Sequence, residues 1–179
     1  MRKKILILVL ILVPLLWIAV NVKSYFDRES FDGPYISYVD NKLHILSFSH
    51  DGDKTKFNAS MFDLSEKYTK IFTSKSDNPD IKPVEFMLHD FSAENPCIYD
   101  MPEKIFAVSD IEGNFYAMQS LLIKNKVISE DYKWTFGKGH LVIVGDMFDR
   151  GEDVLPGLWL IYSLEEEAQK AGGKVHYIL

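Results

Sequence analysis

Cysteine is nearly absent from this sequence, because Cys97 is the only one among its 179 residues. A single thiol cannot form an internal disulfide, so cysteine usage identifies neither an oxidising nor a reducing compartment. Cys97 has no recognisable partner that would activate it as a nucleophile, and we expect a buried structural thiol. No cysteine lies directly after the apolar amino-terminal run, which excludes a lipoprotein anchor.

Basic residues are scarce relative to acidic ones. The chain has 20 Lys and Arg against 26 Asp and Glu, which gives a formal net charge of -6. Binding to a nucleic-acid backbone needs a basic face, and the sequence offers none, so nucleic acid is excluded as the main partner. The length suits one ordinary domain, or one and a half small ones.

An apolar run occupies residues 5–20, directly after Arg2, Lys3 and Lys4. This layout is typical of a segment that enters a membrane with its basic end in the cytoplasm. We expect residues 1–23 to be an uncleaved membrane anchor, with a cleaved signal peptide as the alternative, and residues 24–32 to be a linker. The rest of the chain would then lie outside the cytoplasm, periplasmic or extracellular, and it would be secreted after cleavage.

Residues 33–100 have the pattern of a small β-rich module. Two β-rich runs, 35–39 and 43–48, flank the turn-like break at Asp40, Asn41 and Lys42, which predicts a hairpin. Further strand candidates lie around residues 56–62 and 85–91, separated by a polar, proline-containing segment. The histidines of this module are expected to be surface or hydrogen-bonded residues, without a role in metal binding.

Residues 104–179 alternate in the order strand, helix, strand, helix, strand. Asn114 is placed to cap the first helix, and Gly172 and Gly173 to end the second. This order predicts a parallel sheet with right-handed crossovers, in which the first two strands end at one rim. The apolar stripes expected to face the core are Phe115, Met118, Leu121 and Leu122 in the first helix, and Val154, Leu155, Leu158, Trp159 and Tyr162 in the second.

An acidic cluster follows each of these two strands. Asp110 and Glu112 come after the first strand, and Asp146 and Asp149 come after the second, the latter followed directly by Arg150. Carboxylates at one rim can share divalent cations at the spacing that two-metal phosphoester hydrolases use. The planar guanidinium of Arg150 suits a phosphate group, so spacing and chemistry point to the same kind of site.

These clusters resemble the first two signature blocks of the calcineurin-like metallophosphoesterases, Asp-x-His-Gly and Gly-Asp-x-x-Asp-Arg-Gly. The resemblance covers residues 104–179 and is greatest to the phosphoprotein phosphatase and diadenosine tetraphosphate hydrolase branch. It implies an α/β fold, the parallel βαβαβ portion of a metallophosphoesterase sandwich. In the chain, this portion is preceded by the β-rich module and the amino-terminal transmembrane or signal helix. The implied roles are first-metal ligand for Asp110, bridging metal ligand for Asp146, orientation of a catalytic histidine for Asp149, and substrate binding for Arg150 and Asn114.

The sequence departs from the family pattern in two places. Glu112 stands where the first block has histidine, so we expect manganese, iron or magnesium to be favoured over zinc if Glu112 binds metal. Alternatively, Glu112 is a loop carboxylate that binds no metal. The second departure is that the chain stops at Leu179, before the Gly-Asn-His-Glu block of the family. We therefore expect a carboxy-terminally truncated fragment with little activity of its own.

The resemblance implies metal-dependent hydrolysis of a phosphomonoester or phosphoanhydride. Two divalent ions would activate a hydroxide, and the substrate would be a phosphorylated small molecule or a phosphoprotein. A catalytically silent protein that binds a phosphate-containing ligand on the same fold is the alternative, because Glu112 would have disabled the first metal site.

Overall fold

The structure is a computed structural model that describes residues 29–52, 54–90, 96 and 98–178. The expected membrane anchor or signal peptide at residues 1–23 and the expected buried thiol of Cys97 both lie outside these residues. Neither of the two α-helices that the structure describes combines the length and the hydropathy that a bilayer-crossing helix requires.

The first sheet is antiparallel and has the order β1-β2-β3, with β1 at Glu29–Val39, β2 at Lys42–Asp51 and β3 at Lys54–Asp63. Asp40 and Asn41 join β1 to β2 with φ angles of 49° and 63°. Two successive left-handed residues form the tight turn whose twist matches that of the flanking strands, so the predicted hairpin is confirmed. β1 begins at Glu29, inside the expected linker, and its register with β2 shifts between Asp32 and Tyr35.

A short 3₁₀ helix, Leu64–Glu66, leads to a two-stranded antiparallel sheet of β4 (Ile71–Ser74) and β5 (Val84–Met87). Apolar side chains of these strands and of the first sheet form a small core with Leu43, Phe72, Phe86 and Leu88 at its centre. The antiparallel strands therefore have a hydrophobic core of their own.

The third sheet is parallel, with the order β6-β7-β8. Its elements in chain order are β6 (Ile105–Ser109), α1 (Phe115–Lys124), β7 (His140–Val144), α2 (Val154–Lys170) and β8 (Lys174–Ile178). Leu141 and Ile143 of the central strand are buried on one face, as strand alternation requires. These side chains contribute to the larger core together with the buried residues of both helices.

The helix α2 packs on two sides. Its buried residues Leu160 and Leu164 belong to the larger core, whereas Trp159 and Tyr162 pack against the small core of the antiparallel strands. The Trp159 ring stacks on Phe86 with centroids 4.0 Å apart, and its Nε1–H donates to the carbonyl of Pro34 at 3.0 Å. Thus α2 joins the antiparallel strands to the parallel sheet.

The apolar stripes expected for the helices are only partly correct. In α1, Phe115, Met118 and Leu122 are fully buried, but Leu121 is 39% exposed. In α2, Leu158 packs against the larger core and Tyr162 against the small core, whereas Val154 and Leu155 belong to neither. A stripe counted on an isolated helix does not reveal that the helix is covered from two sides.

The expected fold class, a parallel βαβαβ half-sandwich behind a small β-rich module and an amino-terminal membrane or signal helix, is wrong for the residues that the structure describes. The described residues form a small α/β domain with eight strands and two α-helices, and no bilayer-crossing helix is found among them. The physical reason is the shared helix α2, because its aromatic side chains join the β-rich strands to the parallel sheet in one body.

We expect Phe86→Ala to destabilise the protein by about 3–5 kcal/mol, because it removes a ring that is 3% exposed and stacked on Trp159. Urea unfolding followed by tryptophan fluorescence measures this loss. Phe57→Ala is the matched control, since Phe57 is 58% exposed. Equal stability of the two variants would contradict the proposed joining role of α2.

Candidate functional site

The ends of β6 and β7 lie side by side. Ser109 and Val144 are paired in the parallel register, so Asp110 and Gly145 leave the sheet at the same level. The Asp110 N–H donates to the Val144 carbonyl at 3.2 Å, which continues the strand pairing by one residue. Parallel strands that end together place the loops after them at one rim, where open α/β sheets collect ligands.

Two loops form this rim, the first loop at residues 110–114 and the second loop at residues 145–153. Main-chain hydrogen bonds join them in both directions. The N–H groups of Glu112 and Gly113 donate to the carbonyls of Asp146 and Met147 at 3.0 and 2.9 Å, and the Gly151 N–H donates to the Glu112 carbonyl at 2.8 Å. The two loops therefore hold each other in place independently of their side chains.

Glycine is required where the loops touch. A Cβ on Gly151 would lie 2.3 Å from the Gly113 carbonyl carbon, and a Cβ on Gly113 would lie 2.4 Å from the Gly151 carbonyl oxygen. A side chain at either position would separate the two main chains and break their hydrogen bonds. At the start of the second loop, a Cβ on Gly145 would come within 2.6 Å of Asp110 Oδ1. The absence of that side chain makes room for the Asp110 carboxylate.

The loops carry four non-glycine residues in the left-handed backbone region. Asp110 and Glu112 have φ angles of 51° and 50°, and Asp149 and Arg150 have φ angles of 74° and 57°. Such conformations cost energy for residues with a Cβ and persist only where the surrounding contacts hold them. All four are residues that sequence analysis placed in the site, so the strained positions coincide with the candidate functional groups.

Asp110 and Asp146 come together at the rim. Asp110 Oδ1 accepts a long hydrogen bond of 3.4 Å from the Asp146 N–H, and Asp146 Oδ1 accepts one of 2.8 Å from the Phe148 N–H.

Burial raises the pKa of the neighbouring Tyr177 phenol, and the negative charge of Asp146 raises it further. The Tyr177 hydroxyl is buried without a hydrogen-bond partner among the described residues.

Glu112 forms an ion pair with Arg150 across the two loops. Its Oε2 lies 3.2 Å from Arg150 Nη1, and the two side chains are 28% and 74% exposed. An ion pair that is this accessible to water contributes little to stability. The arginine can therefore exchange Glu112 for another anion at small cost.

The donor set fits a divalent cation in part. Asp110 and Asp146 offer the hard carboxylate oxygens that manganese, iron and magnesium prefer. Within residues 29–52, 54–90, 96 and 98–178, however, no three His, Cys, Asp or Glu side chains are close enough together to hold one ion. Glu112, the third expected ligand, is instead paired with Arg150. The described residues thus supply two candidate ligands.

The remaining candidate residues have defined positions in the loops. Asp149 Oδ1 accepts from the Arg150 N–H at 2.9 Å, so its carboxylate supports the turn that presents the arginine. Asn114 Oδ1 accepts from the Ala117 N–H at 3.0 Å and caps α1, which confirms its predicted capping role. The metal-binding, substrate-binding and histidine-orienting roles assigned from sequence stay predictions.

A cleft of about 770 Å³ opens at the rim, and Asp110, Glu112, Asn114 and Arg150 are among the residues that line it. Two further lining residues, Asn78 and Tyr116, were not found by sequence reasoning. Asn78 belongs to the connection between β4 and β5, far from both acidic clusters in sequence, so no local pattern could have identified it. Tyr116 could have been found, because it lies in the first turn of a helix that begins at the rim.

His140 and His176 lie apart from the rim, near the starts of β7 and β8. His176 Nε2 is 3.1 Å from His140 Nδ1, and the Tyr99 ring contacts both imidazoles edge-on. Burial lowers the pKa of His176, and the positive charges of His140 and Lys174 lower it further. The two histidines contact each other and Tyr99, whereas neither is among the residues that line the cleft.

Comparison with known proteins identifies phosphatases as relatives, although no family model matches the chain. The chain is 31% identical over 93 residues to Shewanella-like protein phosphatase 2 of Arabidopsis thaliana, a match that covers 50% of this chain and 24% of that protein. An uncharacterized protein of Schizosaccharomyces pombe is 34% identical over 80 residues, which cover 44% of this chain and 24% of that protein.

The structural likeness covers more of the chain. A cold-active protein tyrosine phosphatase superposes with a TM-score of 0.58 and 28% identity, over 84% of this chain and 42% of the other. The cold-active protein-tyrosine phosphatase of a psychrophilic Shewanella species gives a TM-score of 0.56 and 28% identity, over 83% and 43% of the two chains. Apart from the uncharacterized yeast protein, these relatives are protein phosphatases, and this chain spans less than half the length of each.

We expect Gly151→Ala to destabilise the protein by about 3 kcal/mol or more, because the new methyl group meets main-chain atoms that cannot move away independently. Chemical unfolding measures the loss. The control is Gly137→Ala. Gly137 has a φ of 57°, and no described atom lies within 4 Å of an added Cβ. This variant therefore carries only the cost of a left-handed backbone conformation, about 1–2 kcal/mol. A smaller loss for Gly151→Ala than for Gly137→Ala would show that the loops do not touch as described.

The stability of the protein should fall as the pH drops below the ordinary histidine pKa of 6.5. Burial in the folded state lowers the pKa of His176 and of His89. Between these lowered pKa values and 6.5, the unfolded chain therefore binds more protons than the folded chain, and protonation favours unfolding. His176→Gln should reduce this slope between about pH 5 and 7, above the range of ordinary carboxylates. Urea titrations across that window measure it, and an unchanged slope would contradict the linkage.

Proposed function

We propose that this chain contributes the metal-binding and phosphate-binding residues of a phosphoester hydrolase. The observation that supports the proposal most directly is the approach of Asp110 Oδ1 to the Asp146 main-chain nitrogen, 3.4 Å away, at the rim that also presents Arg150. The homologues are protein phosphatases, which supports phosphoester hydrolysis in general. The four left-handed backbone positions in the loops agree with a site held ready for a ligand.

We assign two divalent cations as the cofactors, with Asp110 and Asp146 as ligands and with manganese, iron or magnesium favoured over zinc. Divalent cations held there supply Lewis-acid charge to phosphoester hydrolysis. Glu112 can offer these ions only its second oxygen, Oε1, while Oε2 is engaged in the ion pair with Arg150. The metal site and the phosphate site are therefore linked through Glu112.

Arg150 is the proposed phosphate-binding residue. Its side chain is 74% exposed and lines the cleft, so a phosphate can replace Glu112 as its anionic partner. Asp149 supports the same turn through its hydrogen bond to the Arg150 N–H and remains the proposed positioning group for a catalytic histidine. Asn114 lies in the cleft with its Oδ1 engaged in capping α1, which leaves its amide hydrogens to donate to a phosphate oxygen.

The proposed substrate is a phosphomonoester on a protein, in preference to a phosphoanhydride. One relative named above is a Shewanella-like protein phosphatase, and the similar solved structures are protein tyrosine phosphatases. The exposed ring of Tyr116 in the cleft offers a surface on which an aromatic leaving group can stack. We therefore expect an aryl phosphate to be a suitable first substrate.

A catalytically silent phosphate-binding protein is the second candidate. The Glu112–Arg150 ion pair favours it, because it engages one oxygen of the third expected metal ligand and keeps an arginine in the cleft for phosphate. The two candidates differ in one measurement. A silent protein binds inorganic phosphate but shows no turnover with manganese, iron or magnesium, whereas the hydrolase shows both.

We expect Asp146→Asn to lower kcat/KM for p-nitrophenyl phosphate by about 100-fold or more in the natural polypeptide that contains this chain. Neutralising Asp146 removes a charged metal ligand while keeping the shape of the side chain and its acceptor for the Phe148 N–H. Arg150→Ala should mainly raise KM and weaken phosphate binding measured by calorimetry. Activity should be greater with manganese or magnesium than with zinc.

Asp131→Asn is the control, because Asp131 is a surface carboxylate paired with Lys82 and does not line the cleft. It should leave kcat/KM unchanged, and circular dichroism should show that all variants are folded. Retained hydrolysis by Asp146→Asn would refute the role given to this residue. Phosphate binding without turnover in the unmodified protein would favour the silent alternative.

A further inference from the structure

The first sheet has two outer edges among the described residues, β1 and β3. The β1 edge is partly covered, because the Phe31 N–H donates to Asp77 Oδ1 and the Gly33 carbonyl accepts from Ser74 Oγ. In the order β1-β2-β3, one side of β3 pairs with β2 and no described strand pairs with the other. Every residue of β3 is exposed except Phe62, which is half-buried. An edge of this kind presents a row of free main-chain donors and acceptors that another strand can pair with.

The centre of β3 lacks the features that protect most edge strands. Charged residues, proline and bulges usually prevent edge pairing. The stretch from Phe57 to Phe62 has no charge and no proline, and β3 pairs with β2 through ten residues without a shift in register. The charges lie at the ends of the strand, with Lys54 and Lys56 at its start and Asp63 at its finish.

The same strand contributes to an exposed apolar face. Strand alternation places Phe57 and Met61 on one face of the sheet, where they are 58% and 54% exposed. The Phe57 ring contacts Phe48 with centroids 5.4 Å apart, and Phe48 contacts Tyr35 at 6.2 Å. This apolar face, formed by Tyr35, Phe48, Phe57 and Met61, ends abruptly at the β3 edge.

We propose that β3 pairs antiparallel with β3 of a second copy of this chain, with Ala59 at the two-fold axis. In this register Phe57 lies opposite Met61 of the second copy, and Met61 lies opposite its Phe57. The apolar face then continues from one copy into the other. Cross-strand pairs of large apolar side chains stabilise such a junction.

The charges of β3 select the antiparallel arrangement and the second copy as the partner. Antiparallel pairing brings the basic start of each strand, with Lys54 and Lys56, beside the acidic end of the other at Asp63. Parallel pairing in register would place like charges together, which is unfavourable. A strand that complements itself in charge and in side-chain size forms a closed, two-fold dimer.

The test is a charge exchange at Ala59, an exposed residue. The full chain is studied in a non-ionic detergent because of the apolar run at residues 5–20. Sedimentation velocity should show a dimer whose fraction increases with concentration. Ala59→Lys and Ala59→Asp each place two like charges opposite each other at the axis, and each should weaken dimerisation by about tenfold or more. An equal mixture of the two variants should restore the dimer, because opposite charges then meet.

Ala171→Lys is the matched control, since Ala171 is an exposed alanine that follows α2 far from β3. It should dimerise like the unmodified chain. Restoration by mixing cannot arise from misfolding of the single variants, so it separates the interface from a loss of structure. Three outcomes would each overturn the proposal. The unmodified chain could be a monomer at every concentration, Ala59→Lys could dimerise as well as the unmodified chain, or the mixture could behave like the single variants.

Discussion

The close contact between the main chains at Gly113 and Gly151 is the constraint on which the candidate site depends. With no side chain at either position, the two loops approach closely enough to exchange hydrogen bonds, such as the one from the Gly151 N–H to the Glu112 carbonyl at 2.8 Å. This contact holds Asp110 against Asp146 and keeps several residues in left-handed conformations. The rim is therefore prepared by the backbone, and its side chains remain available for a ligand.

The helix α2 connects this rim to the antiparallel strands. It begins directly after the second loop, and its Trp159 and Tyr162 pack on the small core that contains Phe86. The same helix buries Leu160 and Leu164 against the parallel sheet. Because one helix packs against both cores, Asn78, on the connection between β4 and β5, reaches the cleft beside Arg150. The antiparallel strands thus contribute to the shape of the candidate site.

The pairing of Glu112 with Arg150 connects the two functional alternatives. As long as Glu112 Oε2 lies 3.2 Å from the guanidinium, the carboxylate neutralises the residue proposed to bind phosphate and has only Oε1 to offer a metal ion. An anion that replaces Glu112 on Arg150 would free the Oε2 oxygen of Glu112. Since the pair is accessible to water, little energy opposes this exchange. Glu112 therefore affects both the metal-binding and the phosphate-binding part of the proposed chemistry.

The sequence by itself determined the local features of this protein. The break at Asp40 and Asn41 predicted the hairpin turn, and Asn114 was recognised as the cap of α1, because turns and caps depend on neighbouring residues. Only the tertiary structure decided that α2 serves two cores, that Glu112 pairs with Arg150, and that Asn78 reaches the cleft. These contacts join residues distant in sequence, and the periodicity of one segment carries no information about what covers it.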